Sequence, residues 1–251
     1  MFTGKSIIIT GAASGIGREA AIAFAEKGAL VTISDVDKSE LKETADIIEK
    51  AGGKVKVVVA DVSKVKEVVK LVDTAVETFG GLHGACNNAG VGGELAPTAD
   101  YSVDEWDRVI NINLRGQWLC MKYQIPAILK SGGGAIVNIA SILGKVSFAN
   151  APAYVAAKHG LVGLTKTAAV EYSAQGVRVN AIGPGFVETP MLERAGLTTD
   201  PEAKESIIKL HPIGRLGKPR EVADAIVWLT SDEASFITGH TLLVDGGYTA
   251  V

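Results

Sequence analysis

Short unbroken apolar runs constrain this chain more than any other feature. Ile7-Ile8-Ile9 and Val57-Val58-Val59 have no polar residue at alternate positions, so strands built from them are expected to be covered on both faces. Between such runs the apolar period lengthens to that of a helix. Val65, Val68, Val69, Val72 and Val76 fall on one face, with the i, i+3, i+4, i+7, i+11 spacing of a buried helical stripe. Strands are expected over 5–10, 30–35, 54–60, 82–87, 135–140, 177–182 and 241–245. Helices are expected over 15–27, 38–51, 64–79, 103–129, 152–174 and 219–229, with Pro126 disturbing the end of the fourth. Seven such strands alternating with helices make an α/β chain. It reads as one doubly wound parallel seven-stranded sheet with helices on both faces, a single domain over 1–251.

Charge and cysteine content exclude several classes. The chain has 25 basic and 28 acidic residues for a net charge of −3, with no Lys/Arg cluster to serve nucleic acid or an anionic membrane. The apolar run near the N-terminus is too short for a secretion signal, and no apolar stretch approaches the roughly 18 residues of a membrane span. Cys86 and Cys120 lie outside any CxxC pair, which fits buried thiols in a reducing cytoplasm. His83, His159, His211 and His240 share no metal-ligand spacing, so no metal is expected. Ser141 is not in a G-x-S-x-G elbow, which argues against a hydrolase.

The glycines, 29 of 251 residues, concentrate where ligands bind such a sheet, beyond the carboxyl ends of its strands. After the first strand stands Thr10-Gly11-Ala12-Ala13-Ser14-Gly15-Ile16-Gly17. It allows close backbone approach to a pyrophosphate and opens a helix whose free N–H groups favour anions. The spacing G-x-x-x-G-x-G is not the G-x-G-x-x-G fingerprint, and alone it is equally a plain turn. The second strand ends on Asp35, 18 positions after Gly17, where a carboxylate holds a ribose diol. Asp35 and Asp37 would repel a 2′-phosphate, so NAD is favoured over NADP. An ordinary helix-capping aspartate is the alternative.

Tyr154 and Lys158 stand four apart and share a helix face. An ammonium beside the phenol is expected to lower its pKa from about 10, suiting it to exchange a proton with a carbonyl or alcohol oxygen. Ser141 is placed to bond the same oxygen. Alone, such a Tyr/Lys spacing would be a surface pair.

Together these segments resemble the short-chain dehydrogenase/reductase family over almost the whole chain. The carrying motifs are Thr10–Gly17, Asn87-Asn88-Ala89-Gly90, Asn111-Ile112-Asn113-Leu114, Ser141, Tyr154–Lys158, and Pro184-Gly185 with Thr189. The resemblance implies a Rossmann-type fold and a catalytic tetrad of Asn113, Ser141, Tyr154 and Lys158. Tyr154 would be the acid/base, Ser141 would orient the substrate oxygen, and Lys158 would tune Tyr154 and hold the nicotinamide ribose. Asn113 would hold a water relaying protons to solvent. It also implies a cofactor site of Gly11, Ser14, Gly15, Ile16, Gly17, Asp35, Asp61, Val62, Asn88, Ala89, Gly90, Tyr154, Lys158, Pro184, Gly185, Val187 and Thr189. There Asp61 and Val62 would flank the adenine and Thr189 would bind the carboxamide.

The irregular segment 188–216 is expected to be a lid. By the same resemblance it would bring Met191 and Leu192 to a pocket walled by Ile142, Leu143, Phe148 and Phe186, with Glu94 its one charged group. The expected reaction is hydride transfer between NADH and a hydrophobic ketone or secondary alcohol, as in bacterial NADH-dependent ketoreductases. The alternative is a 3-oxoacyl-[acyl-carrier-protein] reductase, whose acidic partner needs a basic rim; only Arg194, Arg215, Lys218 and Arg220 are candidates. A non-catalytic dinucleotide sensor would keep the glycines without needing Ser141, Tyr154 and Lys158. The resemblance further implies a homotetramer paired through helices 103–129 and 152–174.

Overall fold

Parallel pairing begins at the first strand, β1 (Ser6–Thr10), which lies between β2 (Leu30–Asp35) and β4 (Gly84–Asn87) in the computed structural model of residues 1–251. With β3 (Lys54–Val59), β5 (Gly134–Ile139), β6 (Val177–Pro184) and β7 (Thr241–Val244) the order is β3-β2-β1-β4-β5-β6-β7. The order reverses between β1 and β4, which opens a crevice beyond their carboxyl ends. Thr10 and Asn87, register partners there, mark its floor.

The helices are α1 (Gly15–Glu26), α2 (Lys38–Lys50), α3 (Val65–Phe79), α4 (Val103–Ile110), α5 (Gln117–Lys130), α6 (Pro152–Tyr172), α7 (Pro190–Arg194), α8 (Pro201–Lys209) and α9 (Pro219–Thr230). The central run behaves as its lack of alternation requires. Ile7 and Ile9 join the core under α1, α2 and α9, whereas Ile8 joins the opposite core with residues of α3, α5 and α6. Each face of β1 is thus sealed by a helical layer.

The other run does not. Val57 and Val59 are 36% and 45% exposed, and only Val58 is buried in β3. The topology puts β3 at the sheet edge, where cover is incomplete on both faces. The exposed Lys54 and Lys56 discourage edge-to-edge pairing there.

The expected helix over 103–129 is also revised. Ser102 caps α4 by accepting the Glu105 N–H, and Asn111–Gly116 then forms one π-helical stretch before α5. α5 passes through Pro126 to Lys130. Pro126 stands one turn from that end, so its missing N–H removes one bond and does not stop the helix. Segment 188–216 contains α7 and α8, the latter capped by Asp200. No helix is long and apolar enough to cross a membrane.

Candidate active site

The cradle is held by partners that occupy its carbonyl oxygens. Asn88 Nδ2 donates to Thr10 O (3.1 Å) and Gly11 O (3.0 Å), and Thr44 Oγ1 donates to Ala12 O (2.9 Å). Thr10 Oγ1 accepts the N–H groups of Asn88 and Ala89. Gly11 and Gly15 sit at φ +66° and +54°, and a Cβ on Gly17 would collide with the Gly11 carbonyl. These positions therefore require glycine. No side chain caps the N-terminus of α1 and no acid stands in its first turn. Its first N–H groups have no side-chain partner, and such groups favour anions.

Asp35 borders this cradle. Its carboxylate accepts from Ala13 N (3.1 Å), Val36 N (2.7 Å) and Asp37 N (3.2 Å). Asp37 is the helix cap, accepting from Ser39 N and Glu40 N. Asp61 turns its carboxylate to Ser63 N and Oγ, which holds it below the usual carboxylate range against the opposing effect of burial. Val62 is buried with Val68 and Leu119. Of the remaining cofactor candidates, Ile16, in the first turn of α1, packs against the core, and Gly185 bonds Val244 O beyond β6. Val187 is buried in the core beside a backbone bridge to Gly217. Thr189 Cγ2 stands 3.2 Å from the place a Cβ on Gly15 would take, so the start of 188–216 lies on the cradle.

Ser141, Tyr154 and Lys158 converge beyond the end of β5. Ser141 Oγ accepts Leu143 N at 3.1 Å. Lys158, 3% exposed, donates from Nζ to Ile139 O at 2.6 Å, and its ammonium lies 5.4 Å from the Tyr154 ring centroid. Burial pushes Lys158 down to about 8. Burial also pushes Tyr154 upward, opposed by a hydrogen bond with Ser141. The expected lowering of Tyr154 by Lys158 is thus absent in this state. The ammonium is spent on a backbone carbonyl and the ring face, not on the hydroxyl.

Asn113 is fixed against the loop that follows β4. Its Oδ1 accepts Val91 N and its Nδ2 donates to Val91 O, both at 2.8 Å. The side chain clamps the loop after Gly90.

Ile142, Leu143 and Phe186 form one apolar cluster, with Phe148, Tyr154 and Leu192 packed on it. Met191 reaches the Gly92 loop, its Cγ 3.8 Å from a Cβ position there. Glu94 is not part of the cluster; it is exposed and accepts Ser102 N at the start of α4. The one charged wall residue expected is therefore used to anchor a helix.

Comparison with known proteins decides the family. Residues 11–249 match the family described as enoyl-(acyl carrier protein) reductase. The chain is 45% identical over 250 residues to cyclohexanol dehydrogenase of Acinetobacter sp. (strain SE19), covering 99% of this chain and 96% of that protein. It is 45% identical to cis-4-hydroxycyclohexanecarboxylate dehydrogenase of Sinomonas cyclohexanicum, covering 100% and 98%. The crystal structure of levodione reductase superposes with a TM-score of 0.97 at 37% identity, covering both chains completely. The chain belongs to the short-chain dehydrogenase/reductase family. It is an oxidoreductase of CH–OH groups and their carbonyls, and the family uses a nicotinamide cofactor. The uncapped α1 terminus, the cradle closed to any Cβ at Gly17, and Asp35 fit that group.

In this short-chain dehydrogenase/reductase two residues that the sequence spacing does not single out pack against the apolar wall. His211, 3% exposed, bonds Ile207 O through Nδ1 and accepts Phe186 N at Nε2. It ties the end of α8 to the pocket wall. Tyr248 stacks near Phe186 and His211, with centroids 5.8 and 5.3 Å away. Isolated in the sequence, both were readable only as single residues.

Proposed function

We propose that this chain is an NAD(H)-dependent dehydrogenase of cyclic secondary alcohols, acting reversibly on the corresponding ketones. The observation that carries this is the meeting of Ser141 and Tyr154 with an apolar wall at the sheet's carboxyl edge. The α1 N–H groups would hold the pyrophosphate, Asp35 would accept from the ribose hydroxyls, and Thr189 would bind the carboxamide. When bound, the nicotinamide supplies hydride to a carbonyl carbon or accepts it from a carbinol carbon. Ser141 donates a hydrogen bond to the substrate oxygen. Tyr154 gives that oxygen its proton in reduction and takes it in oxidation. Lys158 lies beside the ring, and its charge would favour the Tyr154 phenolate once the ammonium turns from the Ile139 carbonyl toward the hydroxyl. Segment 188–216 closes over the substrate.

The ring preference rests on two relatives whose names carry a cyclohexane ring and on the apolar wall. The acyl-carrier alternative is weakened because Arg215 is paired with Glu221, and Arg220 with Glu26 and Asp224. Of the four basic residues that could form a rim, only Arg194 and Lys218 are then left without an acidic partner. We also propose a homotetramer, supported by an open groove of about 490 Å³ where Trp118 and Gly163 meet solvent.

The test compares cyclohexanol and cyclohexanone with an acetoacetyl thioester of acyl carrier protein, each with NAD(H) and NADP(H). Expected are higher kcat/KM for the ring substrates and for NAD(H), and loss of about 10²–10⁴-fold in kcat for Tyr154→Phe with NADH affinity retained. Faster turnover of the thioester would reverse the substrate assignment.

A further inference from the structure

Arg18 follows the last cradle glycine, yet its guanidinium is turned to α2. Nε donates to Thr44 Oγ1 (3.0 Å), and Nη2 donates to Glu40 Oε2 (2.7 Å), Glu40 O (3.3 Å) and Glu43 Oε2 (3.4 Å). The arginine side chain is 23% exposed, its acidic partners 46% and 64%. Short chains of contacts lead from it to Asp35 on either side. Thr44, fully buried, bonds Ala12 O, and the next residue, Ala13, donates to Asp35. On the other side Glu40 N donates to Asp37, whose own N–H donates to Asp35.

A phosphate monoester carries about −1.5 to −2 charge at pH 7, and beside Asp35 it needs a cation, best supplied by a guanidinium fork. Arg18 is such a fork at the right end of the sheet, and it is already engaged. We propose that Glu40 and Glu43 select against a 2′-phosphate by keeping Arg18 occupied, so that cofactor choice depends on a withheld cation as well as on Asp35. This rests on the reading of Asp35 as the acceptor for an unphosphorylated ribose. Glu40 and Glu43 act through Arg18 and are positioning residues.

The test needs no substrate. Dissociation constants of NADPH and NADH are measured by nicotinamide fluorescence for the full chain, for E40Q/E43Q, and for R18M/E40Q/E43Q. The double variant is expected to tighten NADPH by at least about fivefold while NADH changes by less than about twofold. The triple variant should lose that gain. Unchanged NADPH affinity in the double variant, or a gain that survives without Arg18, overturns the inference. So does a lowered melting temperature with no change in the NADPH/NADH ratio, which would make the cluster a helix staple only. E40Q alone, expected to move the ratio in the same direction, decides the matter if the double variant folds poorly. A wild type that prefers NADPH overturns the Asp35 reading by itself. The inference is still decided by whether releasing Arg18 moves the ratio from the wild-type value.

Discussion

Lys158 is nearly inaccessible and holds its proton against burial with one backbone carbonyl and one ring face. Its pKa of about 8 lies below the ordinary 10.5. Between those values the unfolded chain binds a proton that the folded chain does not, so stability rises with pH across this window. The full shift corresponds to about 3 kcal/mol. Urea unfolding of the cofactor-free protein and of Lys158→Met should therefore diverge as pH rises from about 8 to about 10. The wild type gains up to about 3 kcal/mol relative to the variant. A constant difference over that range would mean that Lys158 keeps its ordinary pKa. Spacing made the Tyr154/Lys158 pair readable, because i and i+4 share a face in any helix. It could not reveal that Ile139, nineteen residues earlier, claims the ammonium.

Elements were legible where their signals are local. The β1 cradle and the α3 stripe follow from neighbours in sequence, whereas the exposure of Val57 and Val59 follows from the edge position of β3, and no local signal marks the π-helical stretch at Asn111–Gly116. Within that stretch the Asn113 clamp on Val91 spans 22 positions, and no helical period encodes it. The end of α9 shows the same dependence on distant sequence. α9 has no basic residue in its last turn. Arg178 of β6 supplies the charge instead, donating to the carbonyls of Leu229, Thr230, Ser231 and Ile237. These are charge-assisted bonds at the negative end of a helix, made by a half-buried group. Arg178→Met should lower the unfolding free energy by about 2–4 kcal/mol, with Arg178→Lys recovering part of it. Urea midpoints at unchanged m-value check this, and a loss below about 0.5 kcal/mol would show that water replaces the guanidinium.

At the scale of the whole molecule, the sheet's active end was legible and its outer surface was not. Glycines and polar residues after strands mark the carboxyl edge, but a surface that meets another subunit carries no periodic signature. The groove beside α4, α5 and α6 presents Ile110, Leu114, Trp118 and Leu164 around Gly160 and Gly163. Trp118 is 42% exposed, and a Cβ on Gly163 would meet nothing within 4 Å in the single chain. Gly163 is therefore not required by the protomer, and a mid-helix glycine there costs about 1 kcal/mol relative to alanine. Close approach of a second helix would account for its retention. Gly163→Gln should leave the protomer fold intact and improve its helix, yet obstruct the proposed subunit contact. Sedimentation velocity is expected to show tetramers for the wild type and smaller species for the variant, with unchanged far-UV circular dichroism. If Gly163→Gln assembles as the wild type does, this groove is not the surface through which subunits pair.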